Sequence, residues 1–166
     1  MAQLLKPDAF LRGVRQHQAI DVFTDSHAVV HRSRARSASE YRHVTGILVD
    51  VFYDHFLALG WEQYSSEPLE VFTAGLYADI RAHPINLPRE AQATIDRMLC
   101  EDLLASYRRI EGIEAALQRI SMRLSARVGK EFGLQMAVSE LLANFDGLKS
   151  DFGEFFPLLQ AHVGKG

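Results

Sequence analysis

Cysteine and long apolar runs are scarce in this chain of 166 residues, and each scarcity excludes a class of protein. Cys100 is the single cysteine, so the chain cannot be a scaffold held together by internal disulfides. The longest apolar stretch, GILVDVFYDHFLALG, contains two aspartates and a histidine and falls short of the roughly 20 residues that a membrane-spanning helix needs. The opening MAQLLKPDAFLRG lacks the apolar core of a signal peptide. We therefore expect a cytoplasmic protein that does not cross a membrane.

Strand patterns are also missing. The chain shows no sustained alternation of apolar and polar residues and no Asn-Gly or Asp-Gly turn between strand-like segments. Apolar residues instead recur at helical spacing, and a content of 48% hydrophobic and 23% charged residues is typical of a globular protein. The sequence predicts one all-α domain over residues 1–166, folded as a compact helical bundle.

Capping residues, prolines and glycines divide the chain into predicted helices. The predicted starts are near Pro7, at a capping box formed by Ser37 and Glu40, after Ser66, at the segment NLPRE, near residue 101 and near Leu134. The predicted ends are Leu59 before Gly60, a position near Pro84, residue 124 before the linker SARVGKEFG, and Phe156.

The segment HQAIDVFTDSH carries His17, Asp21 and Asp25 at intervals of four residues. On a helix, residues four apart lie on one face, and His17 and Asp21 share the face of Phe10 and Val14. We therefore expect these two polar side chains to point toward the protein interior.

A second segment, DVFYDHF, also places ionisable residues on or beside the apolar side of a predicted helix. His55 falls within the apolar stripe of its helix, and Asp54 lies at the border of that stripe. Buried carboxylates and neutral imidazoles suit a divalent ion such as Mn²⁺, Mg²⁺, Fe²⁺ or Zn²⁺. The alternative is that the histidines are hydrogen-bonded core residues, each oriented by a nearby aspartate.

Other chemical motifs are weaker. His27 and His31 are also four residues apart, but no accompanying glutamate motif supports a zinc site there. The chain has no Gly-x-Ser-x-Gly motif and no glycine-rich phosphate loop, which disfavours those classes of hydrolase and nucleotide-binding protein.

Three segments together resemble the acyl carrier protein phosphodiesterase family: GVRQHQAIDVFTDSH, SRARSASEYRHVTGILVDVFYDHFLALGW and FFPLLQAHV. The resemblance extends over almost the whole chain, with both acidic motifs in the family's order and spacing. It implies a fold similar to HD-type metal phosphohydrolases. It also implies a Mn²⁺-dependent reaction, with Mg²⁺ or Fe²⁺ as other candidate ions, that removes 4'-phosphopantetheine from holo acyl carrier protein.

The resemblance marks six residues of this chain: His17, Asp21, Asp25, Asp50, Asp54 and His55. We predict that His17, Asp21 and Asp54 bind the metal and that Asp25 and His55 are catalytic. In this hypothesis Asp25 orients the metal ligands, and His55 is their hydrogen-bond partner or donates a proton to the leaving serine oxygen.

The family also carries an opening segment with Leu-Ala-His and Gly-Asn-Leu stretches, which this chain does not match. We therefore expect one histidine and one aspartate of the family's site to be absent. This expectation leaves open an alternative function, in which the chain binds acyl carrier protein or another acidic partner without turnover. A phosphohydrolase with a small phosphoester substrate is a third option.

A basic segment, HRSRARSASEYRH, follows the first acidic motif. It contains four arginines, Arg32, Arg34, Arg36 and Arg42, and only one glutamate. Because carrier proteins are small and acidic, we predict that these arginines bind acyl carrier protein, although such a run also fits an ordinary solvated helix face. Nucleic acid is disfavoured as the partner because aromatic residues are not interleaved and the net charge is -3.

Overall fold

The structure, a computed structural model, describes residues 7–37, 39–82 and 89–164. These ranges contain nine helices and no strand, which confirms the all-α prediction. The helices are α1 (Pro7–Ser26), α2 (Ala28–Arg34), α3 (Thr45–Leu59), α4 (Leu69–Ala82), α5 (Arg89–Glu101), α6 (Leu103–Ser106), α7 (Ile110–Val128), α8 (Val138–Ala143) and α9 (Phe145–Val163). None of these helices is long and apolar enough to cross a membrane.

The core lies where α3 packs against α7 and α9. Leu48 and Phe52 of α3, Leu117 of α7 and Phe155 of α9 are almost completely buried and belong to one hydrophobic cluster. Helix α2 packs on α9 and α3, and α1 contacts α2 and α9. Helices α4 and α5 both contact the short α6, which in turn contacts α7. The elements that carry the two acidic motifs, α1 and α3, are therefore joined through α2 and α9.

Helix α3 ends as predicted but begins later. The Gly60 N–H donates to the Phe56 carbonyl at 2.9 Å and closes the last turn, which confirms the end at Leu59. The predicted start at the capping box of Ser37 and Glu40 is wrong. A separate 3₁₀ turn forms at Ser39–Tyr41, and α3 begins at Thr45, because Tyr41 and Val44 turn into the core before the helix starts.

The starts predicted after Ser66 and at NLPRE are confirmed by α4 and α5, while the stop near Pro84 lies outside the described residues.

The single helix predicted over residues 101–124 is broken in two. Asp102 takes a left-handed conformation with φ of 42°, and α6 ends before α7 begins at Ile110. Helix α7 then continues to Val128, so the predicted linker starts only at Gly129, whose φ of 70° suits a glycine that ends a helix.

The final helix is also divided differently from the prediction. Residues Leu134–Ala137 form a 3₁₀ turn that leads into α8, and α9 starts after Asn144. Helix α9 continues through Pro157 to Val163, past the predicted end at Phe156. Leu159, beyond the proline, still packs on the core, and this packing keeps the chain helical there.

Candidate active site

His17 and Asp21 lie on the exposed side of α1. The His17 Nδ1 atom is 2.9 Å from Asp21 Oδ2, and the two side chains are 74% and 59% exposed. The expectation that they point inward is therefore wrong. Among the described side chains of α1, Phe23 packs on the core, with its ring stacked on that of His162 at 4.3 Å. A helix that turns Phe23 inward turns His17 and Asp21 outward.

Asp25, one turn further along α1, reaches α2. Its Oδ1 atom accepts a hydrogen bond from Arg34 Nη2 at 2.5 Å. The Asp25 side chain is exposed, whereas that of Arg34 is only 22% exposed. The first acidic motif is thus tied to the end of α2 by a charge-assisted hydrogen bond.

Asp50 on α3 lies within electrostatic reach of the first motif. Loss of hydration raises the pKa of the Asp50 carboxyl, the charge of Arg34 opposes this shift, and the charges of Asp25 and Asp21 add to it. The fold therefore brings Asp21 and Asp25 of the first motif close to Asp50 of the second.

Asp54 follows Asp50 by one turn of α3. Its carboxyl reaches solvent, yet enough protein surrounds it that loss of hydration raises the pKa of Asp54 to about 6, with a further contribution from the charge of Asp50. We call Asp21, Asp25, Asp50 and Asp54 the acidic cluster.

His55 is buried, unlike the neighbouring Asp54. It is 3% exposed, as expected from the apolar stripe of α3, and its ring lies near those of Phe56 and Phe145. The Nδ1–H donates to the backbone carbonyl of Tyr107 at 2.7 Å. Because a carbonyl only accepts, this bond fixes the proton on Nδ1. His55 therefore anchors the chain between α6 and α7.

Tyr107 and two arginines of α7 border the site and were missed by the sequence analysis. Burial raises the pKa of Tyr107, the charge of Asp54 adds to this shift, and the charges of Arg119 and Arg123 oppose it. Asp54 of α3 and the two arginines of α7 therefore act on the same tyrosine from different helices. The spacing of four residues between Arg119, Arg123 and Arg127 indicates one basic helix face and could have identified these arginines.

The predicted basic segment has a second role inside the protein. Arg32 and Arg36 each donate to Asp151 of α9, both at 2.7 Å, Arg32 also donates to Glu154, and Arg34 donates to Asp25. Arg42 is exposed, and no ion pair is found for it among the described residues. Three of the four predicted partner-binding arginines are thus already paired within the chain.

The predicted metal ligands are not assembled around one point. No group of three His, Cys, Asp or Glu side chains in the described part of the chain is arranged to hold a metal ion. His17 and Asp21 form a pair, but Asp54 does not complete a group with them. The residues present in this conformation do not fit a preformed metal centre.

Comparison with known proteins gives one family. The family model described as acyl carrier protein phosphodiesterase matches residues 2–159. The acyl carrier protein phosphodiesterase of Salmonella dublin is 29% identical over 160 residues, which covers 96% of this chain and 81% of that protein. The protein of the same name from Escherichia coli O6:H1 is 30% identical over 163 residues, again covering 96% of this chain and 81% of the relative. No solved structure matches. The family match over nearly the whole chain shows that this protein belongs to the acyl carrier protein phosphodiesterase family.

Proposed function

We propose that this protein hydrolyses the phosphodiester that joins 4'-phosphopantetheine to holo acyl carrier protein. Water attacks the phosphorus, the bond from phosphorus to the serine oxygen breaks, and the serine oxygen takes up a proton. The products are apo carrier protein and free phosphopantetheine. Family membership supports this reaction, since the relatives are named acyl carrier protein phosphodiesterases.

The observation that carries the proposal is the meeting of the two acidic motifs. Asp21 and Asp25 come from α1 and Asp50 from α3, yet their charges act on one another, and Asp50 acts in turn on Asp54. Carboxylates that lie close enough to influence one another can accept the proton of an attacking water and release it to the leaving oxygen. Asp25 stays a predicted catalytic residue within this cluster.

His55 has a different role in this proposal from the one predicted. A side chain that is 3% exposed and donates to the Tyr107 carbonyl is not placed to protonate a leaving serine oxygen. We assign it as a positioning residue that holds Tyr107 beside Asp54.

Mn²⁺ is proposed as the cofactor on the strength of the sequence resemblance, and Mg²⁺ or Fe²⁺ are the alternatives. Because the described residues form no group of three metal ligands, none of the roles above depends on the ion. A positive charge that acts on the cluster is that of Arg34, which opposes the raised pKa of Asp50.

Acyl carrier protein is the proposed partner. The basic face of α7, with Arg119, Arg123 and Arg127 four residues apart, is a second candidate surface for an acidic protein besides the predicted basic segment. The charges of Arg119 and Arg123 act on Tyr107, as the charge of Asp54 does, so a carrier protein bound to this face would bring its prosthetic group toward the cluster.

The test is conversion of holo to apo carrier protein, followed on a urea gel that separates the two forms, with Mn²⁺ or with EDTA. We expect conversion by the wild-type chain and a loss of about 100-fold in Asp54→Asn, as is typical for removal of a proton-transfer group. Asp146→Asn, the same change at an exposed site on α9, is the control and should keep full activity.

A chain that binds labelled holo carrier protein but never converts it would contradict the proposal. That result would favour the alternative of a relative that binds acyl carrier protein without turnover. Full activity of Asp54→Asn would instead contradict the role of the acidic cluster.

A further inference from the structure

The outer side of α7 combines basic and apolar side chains in the C-terminal half of the helix. Five residues recur there at the i, i+3, i+4, i+7, i+8 spacing of one helix face. Met122 is 60% exposed, Arg123, Ala126 and Arg127 are exposed, and Arg119 is partly buried. We call these five residues the outer α7 face.

The inner side of α7 fixes the direction of this face. Leu117 is fully buried, and Ile120 and Leu124 pack against the same hydrophobic core. The helix cannot turn about its axis without exposing these residues to water, which would be unfavourable. Helix α7 also packs on α3, which carries Asp50 and Asp54. The outer α7 face is therefore a fixed surface on a helix that neighbours the second acidic motif.

Charge on this part of α7 has one sign. Residues 115–129 contain three arginines and no aspartate or glutamate. The negative end of the helix dipole favours a cation in the last turn, which accounts for Arg127. The dipole does not account for Arg119 and Arg123, which lie in earlier turns, or for the exposed Met122 between them. This composition fits a partner that supplies carboxylates and an apolar contact.

The side chains of the outer α7 face have the chemistry to bind such a partner. Guanidinium groups bind carboxylates through paired hydrogen bonds, and a methionine side chain adapts its shape to the apolar surface that it meets. Tyr107 lies within electrostatic reach of Arg119 and Arg123 on one side and of Asp54 on the other. A protein held on this face would therefore lie close to the second acidic motif.

We propose that the outer α7 face is the docking surface for holo acyl carrier protein. Carboxylates of the carrier protein pair with the arginines of the face, and Met122 makes the apolar contact among them. The identity of the partner rests on the proposed function. The choice of α7 over the predicted basic segment rests on the exposure, the spacing and the mixed composition of this face.

The test is binding of fluorescently labelled holo carrier protein to the intact chain, followed by anisotropy at about 0.15 M salt. The label is on the carrier protein, so the signal reports docking whether or not the prosthetic group is removed. Arg123→Glu should weaken binding by at least about tenfold, because like charges would then meet across the interface. Met122→Ser should weaken it by about fivefold, because the apolar contact is lost.

The matched control is Arg109→Glu, the same change at an exposed site at the start of α7. It should bind the carrier protein within about twofold of the wild type, since screening limits the reach of a distant surface charge. Equal weakening by Arg109→Glu and Arg123→Glu would overturn the proposal, because net charge and not the outer α7 face would then determine binding.

A second measurement needs no variant. The affinity of the wild-type chain for the carrier protein should fall by about tenfold when the salt concentration rises from about 0.05 to about 0.5 M, because salt screens exposed charge pairs. An affinity that does not change with salt would overturn the proposal.

Arg42→Glu tests the competing surface, the predicted basic segment. Unchanged binding by Arg123→Glu together with weakened binding by Arg42→Glu would overturn docking on α7 and leave the proposed hydrolysis in place. Weakened binding by Arg123→Glu, with no conversion of holo carrier protein by the wild type, would support docking on α7 and contradict the hydrolysis. A wild-type chain that does not bind the carrier protein would overturn the docking proposal outright.

Discussion

Asp151 is the charged residue most deeply buried among those described, and its partners explain how the fold tolerates it. It is 1% exposed and accepts hydrogen bonds from Arg32 and Arg36 at 2.7 Å and from Ser33 at 2.9 Å. Ser33 in turn is hydrogen-bonded to Tyr53 of α3 at 2.8 Å. Burial raises the pKa of Asp151, but the hydrogen bonds from Arg36, Ser33 and Arg32 outweigh it, and the net pKa is lowered.

Replacing this carboxylate should destabilise the protein. We expect Asp151→Asn to lower the free energy of unfolding by about 3 kcal/mol, because it removes the buried carboxylate that neutralises Arg36 and Arg32. Urea unfolding measures the change. The control is Glu154→Gln, at an exposed partner of Arg32, which should cost less than about 1 kcal/mol. If the two variants lower the free energy of unfolding equally, burial of the Asp151 ion pairs contributes nothing to stability.

The lowered pKa of Asp151 also predicts how its contribution depends on pH. The unfolded chain binds this proton more tightly than the folded chain, so the stabilisation is fully present above the unfolded pKa of about 3.9. It is lost as the pH falls through the lower pKa of the folded state. The difference in stability between wild type and Asp151→Asn should therefore be constant from neutral pH to about pH 5 and shrink below about pH 4. A difference that shrinks already near neutral pH would contradict this.

The approach of α6 to α7 depends on one glycine. A Cβ added to Gly112 in the first turn of α7 would lie 2.1 Å from the backbone oxygen of Ser106 at the end of α6. Backbone atoms cannot move aside as a flexible side chain can. The break between these helices, which the periodicity of residues 101–124 did not predict, is thus accommodated by Gly112.

We predict that Gly112→Ala destabilises the protein by about 2 kcal/mol or more, since it forces the two helices apart. Gly75→Ala in α4 is the matched control. A Cβ there meets nothing within 4 Å, so this variant should be neutral or stabilise by about 0.5–1 kcal/mol. Thermal unfolding followed by circular dichroism compares the two. A stable Gly112→Ala would mean that α6 can shift without loss.

Stability is expected to be uneven across the whole molecule. Residues 15–19 of α1 are all exposed, whereas α3 contributes Leu48, Phe52 and Phe56 to the central cluster. We predict that backbone amides of residues 15–19 exchange with solvent at least about tenfold faster than those of residues 48–56, because opening this part of α1 exposes little apolar surface. Hydrogen exchange followed by mass spectrometry provides the measurement. Equal protection would show that this part of α1 is held as firmly as the core.

The helical class and several helix termini follow from local features of the chain. Helical periodicity indicates the helices, and Gly60 and Pro68 mark the end of α3 and the start of α4. These signals can be recognised in the sequence because each acts on the backbone of only a few neighbouring residues. The two acidic motifs were also recognisable, because their residue types and spacing are properties of the chain alone.

Whether the side chains of those motifs face the core or the solvent depends on how the helices pack. Periodicity gives the spacing of side chains around a helix but not which side meets the core, and Phe23 turned His17 and Asp21 outward. The ion-pair partner of the basic segment could not be predicted from the sequence either, because Asp151, which pairs with Arg32 and Arg36, lies more than a hundred residues further along the chain. Such pairings depend on how α2 and α9 pack, and burial of their shared apolar surface, not the local sequence, determines that packing.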